Sequence, residues 1–298
     1  MIEFALRTTG RQIDLDSTLD CGQTFRWSKD GEWWKGVVRD TVLFLKENSD
    51  GIIVRSSSES LLGRDVYSGI ESYLGLEDDL QMIRSTLEKR LRAFDLKVRA
   101  VSEKALSEAS GLRILRQDSF EMVVEYILST RNSIPMIRWM SDRLSELFPE
   151  NRIDFCGESY YAFPSLSQLK NISEETLINL KIGFRVPWLL KLFSKIEKES
   201  YFSGLSTLTV EEKLEELTKH DGIGYKVGSC VILFSYGELS AFPVDIWISR
   251  VMKDLFAFSG STKKLMRFGM DSFSPYGGYY QEALFRYYRT HKLGRDFK

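Results

Sequence analysis

The stretch Leu214–Gly237, LEELTKHDGIGYKVGSCVILFSYG, decides how the rest of the chain is read. Leu214 and Leu217 anchor one short helix, and Val227, Cys230, Val231 and Phe234 recur at the three- and four-residue intervals of a second. Between them, His220-Asp221-Gly222-Ile223-Gly224 is short enough for a tight turn, and its two glycines permit positive φ and close backbone approach. Two readings stand. One is a plain pair of helices with a glycine C-cap. The other is a helix N-terminus whose free N–H groups bind phosphate without reading bases.

Lys226 bears on that choice. It lies in the first turn of the second helix, where the positive end of the helix dipole opposes a cation. Partly desolvated, a lysine there is expected to have a lowered pKa, and a neutral amine attacks carbons such as a sugar C1′. The same residue could equally be a solvated phosphate contact. Nineteen residues on comes AFPVDIW, in which Pro243 and Asp245 open another apolar segment. By default this is a helix entry with a capping carboxylate. An acid there could also assist departure of a base or stabilise an oxocarbenium-like sugar.

Outward from the hairpin, the chain divides by pattern. The first ~55 residues carry strand-like runs (EFALR, TFRWS, EWWKGVV, TVLFLKE, GIIVRS) broken by Asp-Gly, Arg-Asp and Asn-Ser-Asp-Gly turns, an antiparallel meander. After Ser60 the spacing becomes helical, in DLQMIRSTLEKRLRAF, SFEMVVEYILSTR, IPMIRWMSDRLSELF, EETLINLKIG, VPWLLKLFSKIEK, VEEKLEELTKH and YGGYYQEALFRYYRTHK. The expectation is an α+β protein, with an N-terminal antiparallel sheet domain and flanking helices over 1–95. A mostly α-helical helix-hairpin-helix body follows over 96–298, with the active-site cleft between its two helical subdomains.

The bulk properties narrow the chemistry. The 298 residues are 43% hydrophobic and 28% charged, ample for a core. A net charge of −1 means that any nucleic-acid surface has to be a local patch. Cys21, Cys156 and Cys230 fit neither a disulfide framework nor a C-x-x-C metal site. His220 and His291 alone supply little for a histidine-centred metal site or triad. No apolar run has signal-peptide or membrane-spanning length, so a cytoplasmic protein is expected.

Glycine hairpin, lysine and Pro-Val-Asp, in that order, resemble the signature of the helix-hairpin-helix DNA glycosylases, specifically the 8-oxoguanine DNA glycosylase/AP lyases. GQTFRW, LRILRQDSFEMVVEYILSTRNSI, the FPS at Phe163, LKIGFRVPWLL and SPYGGYYQEALF resemble stretches of the same family in the same order, covering essentially the whole chain. The resemblance implies that Lys226 attacks C1′, expels the damaged base and forms a Schiff base from which β-elimination nicks the strand. It makes Asp245 the acid that helps ionise the glycosidic bond. A flipped base would stack between Cys230 and Phe285, with Gln281 on its Watson–Crick edge and the Gly22 carbonyl accepting from N7–H of the oxidised base. Normal guanine has a bare acceptor at N7, so that carbonyl would select the lesion.

In the space left by the flipped base, the resemblance places Phe184 as a wedge, Arg185 at the widowed cytosine and Arg131-Asn132-Ser133 as filler. Gly222 and Gly224 would bind phosphate. Three positions depart from the family. Arg131 stands where asparagine is common, Met136 where a second cytosine-reading arginine is often found, and Trp247 where a histidine approaches phosphate. A methionine has no donor for cytosine, so relaxed opposite-base discrimination is expected.

An endonuclease-III-like enzyme would normally carry a four-cysteine iron–sulfur loop, for which the cysteines are lacking. An alkyl-purine glycosylase would usually lack the lysine, and a non-catalytic DNA-binding module would need neither Lys226 nor Asp245. The expected partner is double-stranded DNA containing oxidised guanine, bound in a salt-dependent way with help from Arg286, Arg289, Lys292 and Arg295. A monomer is expected, with no membrane partner. No catalytic metal or cofactor is implied, though a structural cation on hairpin carbonyls from Lys219 to Gly224 is.

Overall fold

The structure, a computed structural model, describes residues 1–291 and 293; Lys292 and Arg295 of the expected cationic tail lie outside the described residues. Five strands, β1 (Ile2–Arg7), β2 (Trp27–Asp30), β3 (Trp33–Val38), β4 (Thr41–Asn48) and β5 (Gly51–Ser56), form one antiparallel sheet. Its order is β1-β5-β4-β3-β2, so β2 to β5 are the expected meander and β1 closes its far edge against β5, Leu6 opposite Ile52. Alternation sends Leu43 and Leu45 of β4, and Ile52 and Val54 of β5, to one face. The helix Val66–Tyr73 covers that face with Val66, Ile70 and Tyr73.

The run TFRWS departs from its expected strand, because the ladder begins only at Trp27. Thr24, Phe25 and Arg26 are all buried, so the stretch lacks the one-sided exposure of a half-buried strand. Their partners lie elsewhere. Gln23 is fully buried and bonded at both ends of its amide. It donates to the carbonyls of Thr18 (2.9 Å) and Arg113 (2.8 Å) and accepts from the Leu115 N–H (2.9 Å). The Gln117 amide donates to the Gln23 carbonyl at 2.7 Å. Trp27 Nε1 donates to the Tyr73 hydroxyl at 2.7 Å, and Arg26 reaches the Tyr161 carbonyl.

The helical body is built on two helices, Ser119–Leu128 and Tyr225–Tyr236, packed against each other. Every residue from Val227 to Phe234 is buried, so the one-sided stripe expected there understates a helix that is covered all round. The C-terminal helix Gly277–Thr290 lies along the helix Leu96–Glu108, joined by a Tyr280–Ser102 hydroxyl contact of 2.6 Å. Leu96–Glu108 escaped the periodicity because its buried face is narrow (Val98, Ser102, Ala105, Leu106) and carries a polar residue.

A second hairpin, Arg152–Phe155 with Glu158–Tyr161, interrupts the helical region. It turns on Cys156 and Gly157, both at positive φ, and its Phe155 packs on Val37, Val42 and Phe44 of the sheet. Among the described residues, no helix is long and apolar enough to cross a membrane.

Candidate active site

A cleft of about 910 Å³ opens where the glycine hairpin, the Ser119–Leu128 helix and the C-terminal helix meet the Gly22 turn. Gly22, Arg131, Asn132, Gly222, Gly224, Lys226, Asp245, Trp247 and Phe285 line it. Tertiary folding thus places one turn from the start of the chain against the last described helix. A Cβ built on Gly22 would stand 3.1 Å from Ile134 Cδ1 and 3.9 Å from Phe285 Cε1. Gly22 has φ +100, a conformation side-chain-bearing residues rarely adopt.

The hairpin follows the sequence with one correction. Gly222 has φ +83 and lies so near Trp188 that a Cβ would come within 2.7 Å of its Cε3. Gly224 is extended, at φ −91 and ψ −174, because it is the N-cap of the lysine helix, a position that takes non-helical angles. Only one of the two glycines therefore uses the left-handed region. The Gly224 cap has no side chain to bond the first-turn amides, and Gly224 and Lys226 both line the cleft. Within the turn, Asp221 holds Lys191 at 2.5 Å.

Lys226 projects from the first turn of that helix, half-buried. Its Nζ donates to Ser129 Oγ at 2.9 Å and lies 4.9 Å from the Tyr126 ring centroid. Asp245 is the N-cap of the helix Ile246–Phe256, its Oδ1 accepting the Ile248 N–H at 2.8 Å. Burial pushes its carboxyl above the ordinary aspartate range, against the Ile248 N–H and the Lys226 charge, which favour ionisation. The capping and acid readings of Asp245 are compatible, since one oxygen binds the helix and the other is left over.

The remaining expected residues fall into two groups. Phe285, one turn beyond Gln281, reaches the cleft, whereas Gln281 and Cys230 are buried and do not line it. The Gln281 Oε1 has no hydrogen-bond partner, and burial pushes the Cys230 thiol up to about 12. At the mouth, Phe184 is half exposed and packs edge-on against Trp188. Met136 is exposed near the rim.

Arg185 is not open to solvent. It is buried behind the mouth, donating to the carbonyls of Thr130 and Ile182 (3.1 Å to the latter) and lying 4.4 Å from the Phe184 ring centroid. It therefore holds the turn on which Arg131 sits. Arg131 adopts φ +52, a region that asparagine tolerates better than arginine. Trp247 lies under the Arg250 guanidinium, 5.3 Å from ring centroid to Cζ, and Arg289 adds a cation to the cleft wall.

Sequence reasoning missed Ser129, Tyr126 and Ile134. The first two lie three residues apart in VVEYILST, where the apolar stripe hid a tyrosine and the C-cap serine. A separate cavity of about 610 Å³, lined by Arg11, Asp78, Arg84 and Arg113, holds no comparable nucleophile and acid.

A family profile for the N-terminal domain of 8-oxoguanine DNA glycosylase matches residues 5–123. A solved structure of MBOgg1 in complex with a low-affinity DNA ligand superposes with a TM-score of 0.85 and 31% identity, covering 97% of this chain and 96% of that one. The 8-oxoguanine glycosylase/lyase of Clostridium acetobutylicum, bound to DNA with cytosine opposite 8-oxoG, has a TM-score of 0.82 and 29% identity. There the match covers 94% of this chain and 93% of the other. The N-glycosylase/DNA lyase OGG1 of Arabidopsis thaliana is 27% identical over 253 residues, 82% of this chain and 67% of that protein.

Proposed function

This chain belongs to the 8-oxoguanine DNA glycosylase/AP lyase family of the helix-hairpin-helix superfamily, and on that premise we propose that Lys226 and Asp245 carry its chemistry. The enzyme excises 8-oxoguanine from duplex DNA and cleaves the strand at the resulting site. The observation that supports the assignment is the meeting in one cleft of Lys226, Asp245, Gly22 and Phe285, contributed by four distant segments.

In the first step the Lys226 nitrogen forms a bond to C1′ while the C1′–N9 bond breaks, its electron pair leaving with the base. The Asp245 carboxyl faces the positive charge that develops on the sugar. Loss of a proton from nitrogen and opening of the sugar ring then give the Schiff base. Removal of a C2′ proton expels the 3′ phosphate and cuts the strand. Ser129 orients the amine through its hydroxyl contact. Gly22 offers its carbonyl to N7–H of the lesion, Phe285 stacks on the base and Gln281 meets its pairing edge. Cys230 backs the pocket from the lysine helix.

Around the opening, Phe184 wedges into the stack, while Arg131 and Asn132 fill the vacated space. Arg185 supports them from behind, through the Thr130 and Ile182 carbonyls. The amides at Gly222 and Gly224, with Trp247 at the rim, take phosphate. On this reading the reaction uses no metal or organic cofactor, and a cation held by carbonyls between Lys219 and Gly224 would serve phosphate contact alone. We place the enzyme in the cytoplasm as a monomer, with residues 1–95 and 96–298 as its two domains.

Borohydride reduction during reaction with an 8-oxoguanine duplex tests the reading. Wild type cross-links covalently to DNA, and Lys226→Gln does not. Trapping of the variant at the wild-type level would remove Lys226 from the mechanism.

A further inference from the structure

One side chain touches both halves of the site. The Tyr126 hydroxyl donates to the Gly22 carbonyl at 3.3 Å, and Lys226 Nζ lies 4.9 Å from the centre of the same ring. The ring is held on two sides, stacked on Phe234 at 5.8 Å and 13°, and edge-on to Phe25 at 5.5 Å and 70°. Burial, with Cys230, Glu282, Cys21 and Glu125 nearby, pushes the phenol well above its ordinary range, so the hydroxyl keeps its proton and remains a donor. Gly22 has no side chain to restrict its peptide, and its φ of +100 is open to few other residues. A fixed external donor therefore helps decide where its carbonyl points.

We propose that Tyr126 is a positioning residue for lesion recognition: its hydroxyl holds the Gly22 carbonyl at the cleft wall while its ring packs beside Lys226. The inference rests on the reading of Gly22 as the acceptor for the lesion's N7–H. A carbonyl oxygen has two lone pairs, so it can bind Tyr126 and an incoming base N–H together. Tyr126 thereby couples the part of the site that reads the base to the part that attacks the sugar. Neither the hairpin motif nor helical spacing singles it out, because at the sequence level it is one more apolar position in SFEMVVEYIL.

Tyr126→Phe keeps the ring and removes only the hydroxyl. Single-turnover rates are measured on two duplexes, one with 8-oxoguanine opposite cytosine and one with an abasic site opposite cytosine. The abasic duplex draws on Lys226 but presents no base, so it serves as the reference. Loss of one hydrogen bond predicts a roughly threefold to tenfold fall in the ratio of excision to abasic cleavage. An unchanged ratio overturns the inference, as does an equal loss on both duplexes.

Gly22→Ala, which adds a Cβ 3.1 Å from Ile134 Cδ1, is measured in parallel. A ratio lowered by Gly22→Ala but not by Tyr126→Phe refutes the role of Tyr126 and leaves that of Gly22 standing. A ratio lowered by neither variant removes both.

Discussion

Substitution of Asp245 separates two roles that one carboxyl combines. Its Oδ1 accepts the Ile248 N–H at 2.8 Å and so caps the helix Ile246–Phe256. Asp245→Ala removes the cap, which costs about 1 kcal/mol in typical hosts. For a chain of this size that corresponds to a melting temperature lower by roughly 2 °C. Asp245→Asn keeps an oxygen for Ile248, and asparagine caps about as well as aspartate. It also removes a charge that the fold disfavours, since burial outweighs the Lys226 charge and the capping N–H and pushes the carboxyl upward.

The sign of the pH dependence follows from that direction. A carboxyl whose folded pKa exceeds its unfolded value loses stabilisation as pH rises from the unfolded value through the folded one. Wild type should therefore lose ground to Asp245→Asn across that interval, and the asparagine variant should melt at or above wild type at neutral pH. Its excision rate should nevertheless fall by about a hundredfold or more, the scale of removing a group that stabilises transition-state charge. Thermal melts of the three proteins and single-turnover excision on one lesion duplex measure both effects. Alanine and asparagine variants that melt together would show that the cap does not hold the helix. An asparagine variant within tenfold of wild-type excision would remove Asp245 from the chemistry.

Two further predictions concern the neighbourhood of the cleft. Met136 offers cytosine no donor, so the wild-type preference for cytosine over adenine opposite the lesion should stay below about a hundredfold, and Met136→Arg should raise it. Cleavage of paired lesion:C and lesion:A duplexes decides this, and a larger wild-type preference would contradict it. Glu282 is buried, and burial pushes its carboxyl to about 8 from an ordinary 4.5, so the protein should lose stability as pH rises between those values. Glu282→Gln should flatten that slope, with its melting temperature gaining on wild type from the acidic end of the interval to the basic end. A constant gap would show that Glu282 ionises equally easily in the folded and unfolded protein.

Local patterns made much of the fold legible. Period-two alternation with Asp-Gly turns announced the sheet, and the hairpin, Lys226 and Asp245 could be read because turn glycines and caps obey local backbone rules. Local rules end where backbone groups find distant partners. Thr24 to Arg26 read as strand, yet they are enclosed by the Gln23 network and by Arg26 reaching Tyr161. Arg185 read as a base contact, but its guanidinium is engaged with the Thr130 and Ile182 carbonyls.

The same distinction runs through the site. The sequence by itself determined the chemical groups, a lysine at a helix start and an aspartate at a cap, because each depends on a few neighbouring residues. Spacing alone does not bring Gly22 and Phe285, at opposite ends of the chain, to one wall; the family resemblance implied their meeting, and the tertiary structure shows it. Only it placed Tyr126 and Ser129 around Lys226, since these contacts arise from the packing of the Ser119–Leu128 helix on the lysine helix and leave no trace in spacing.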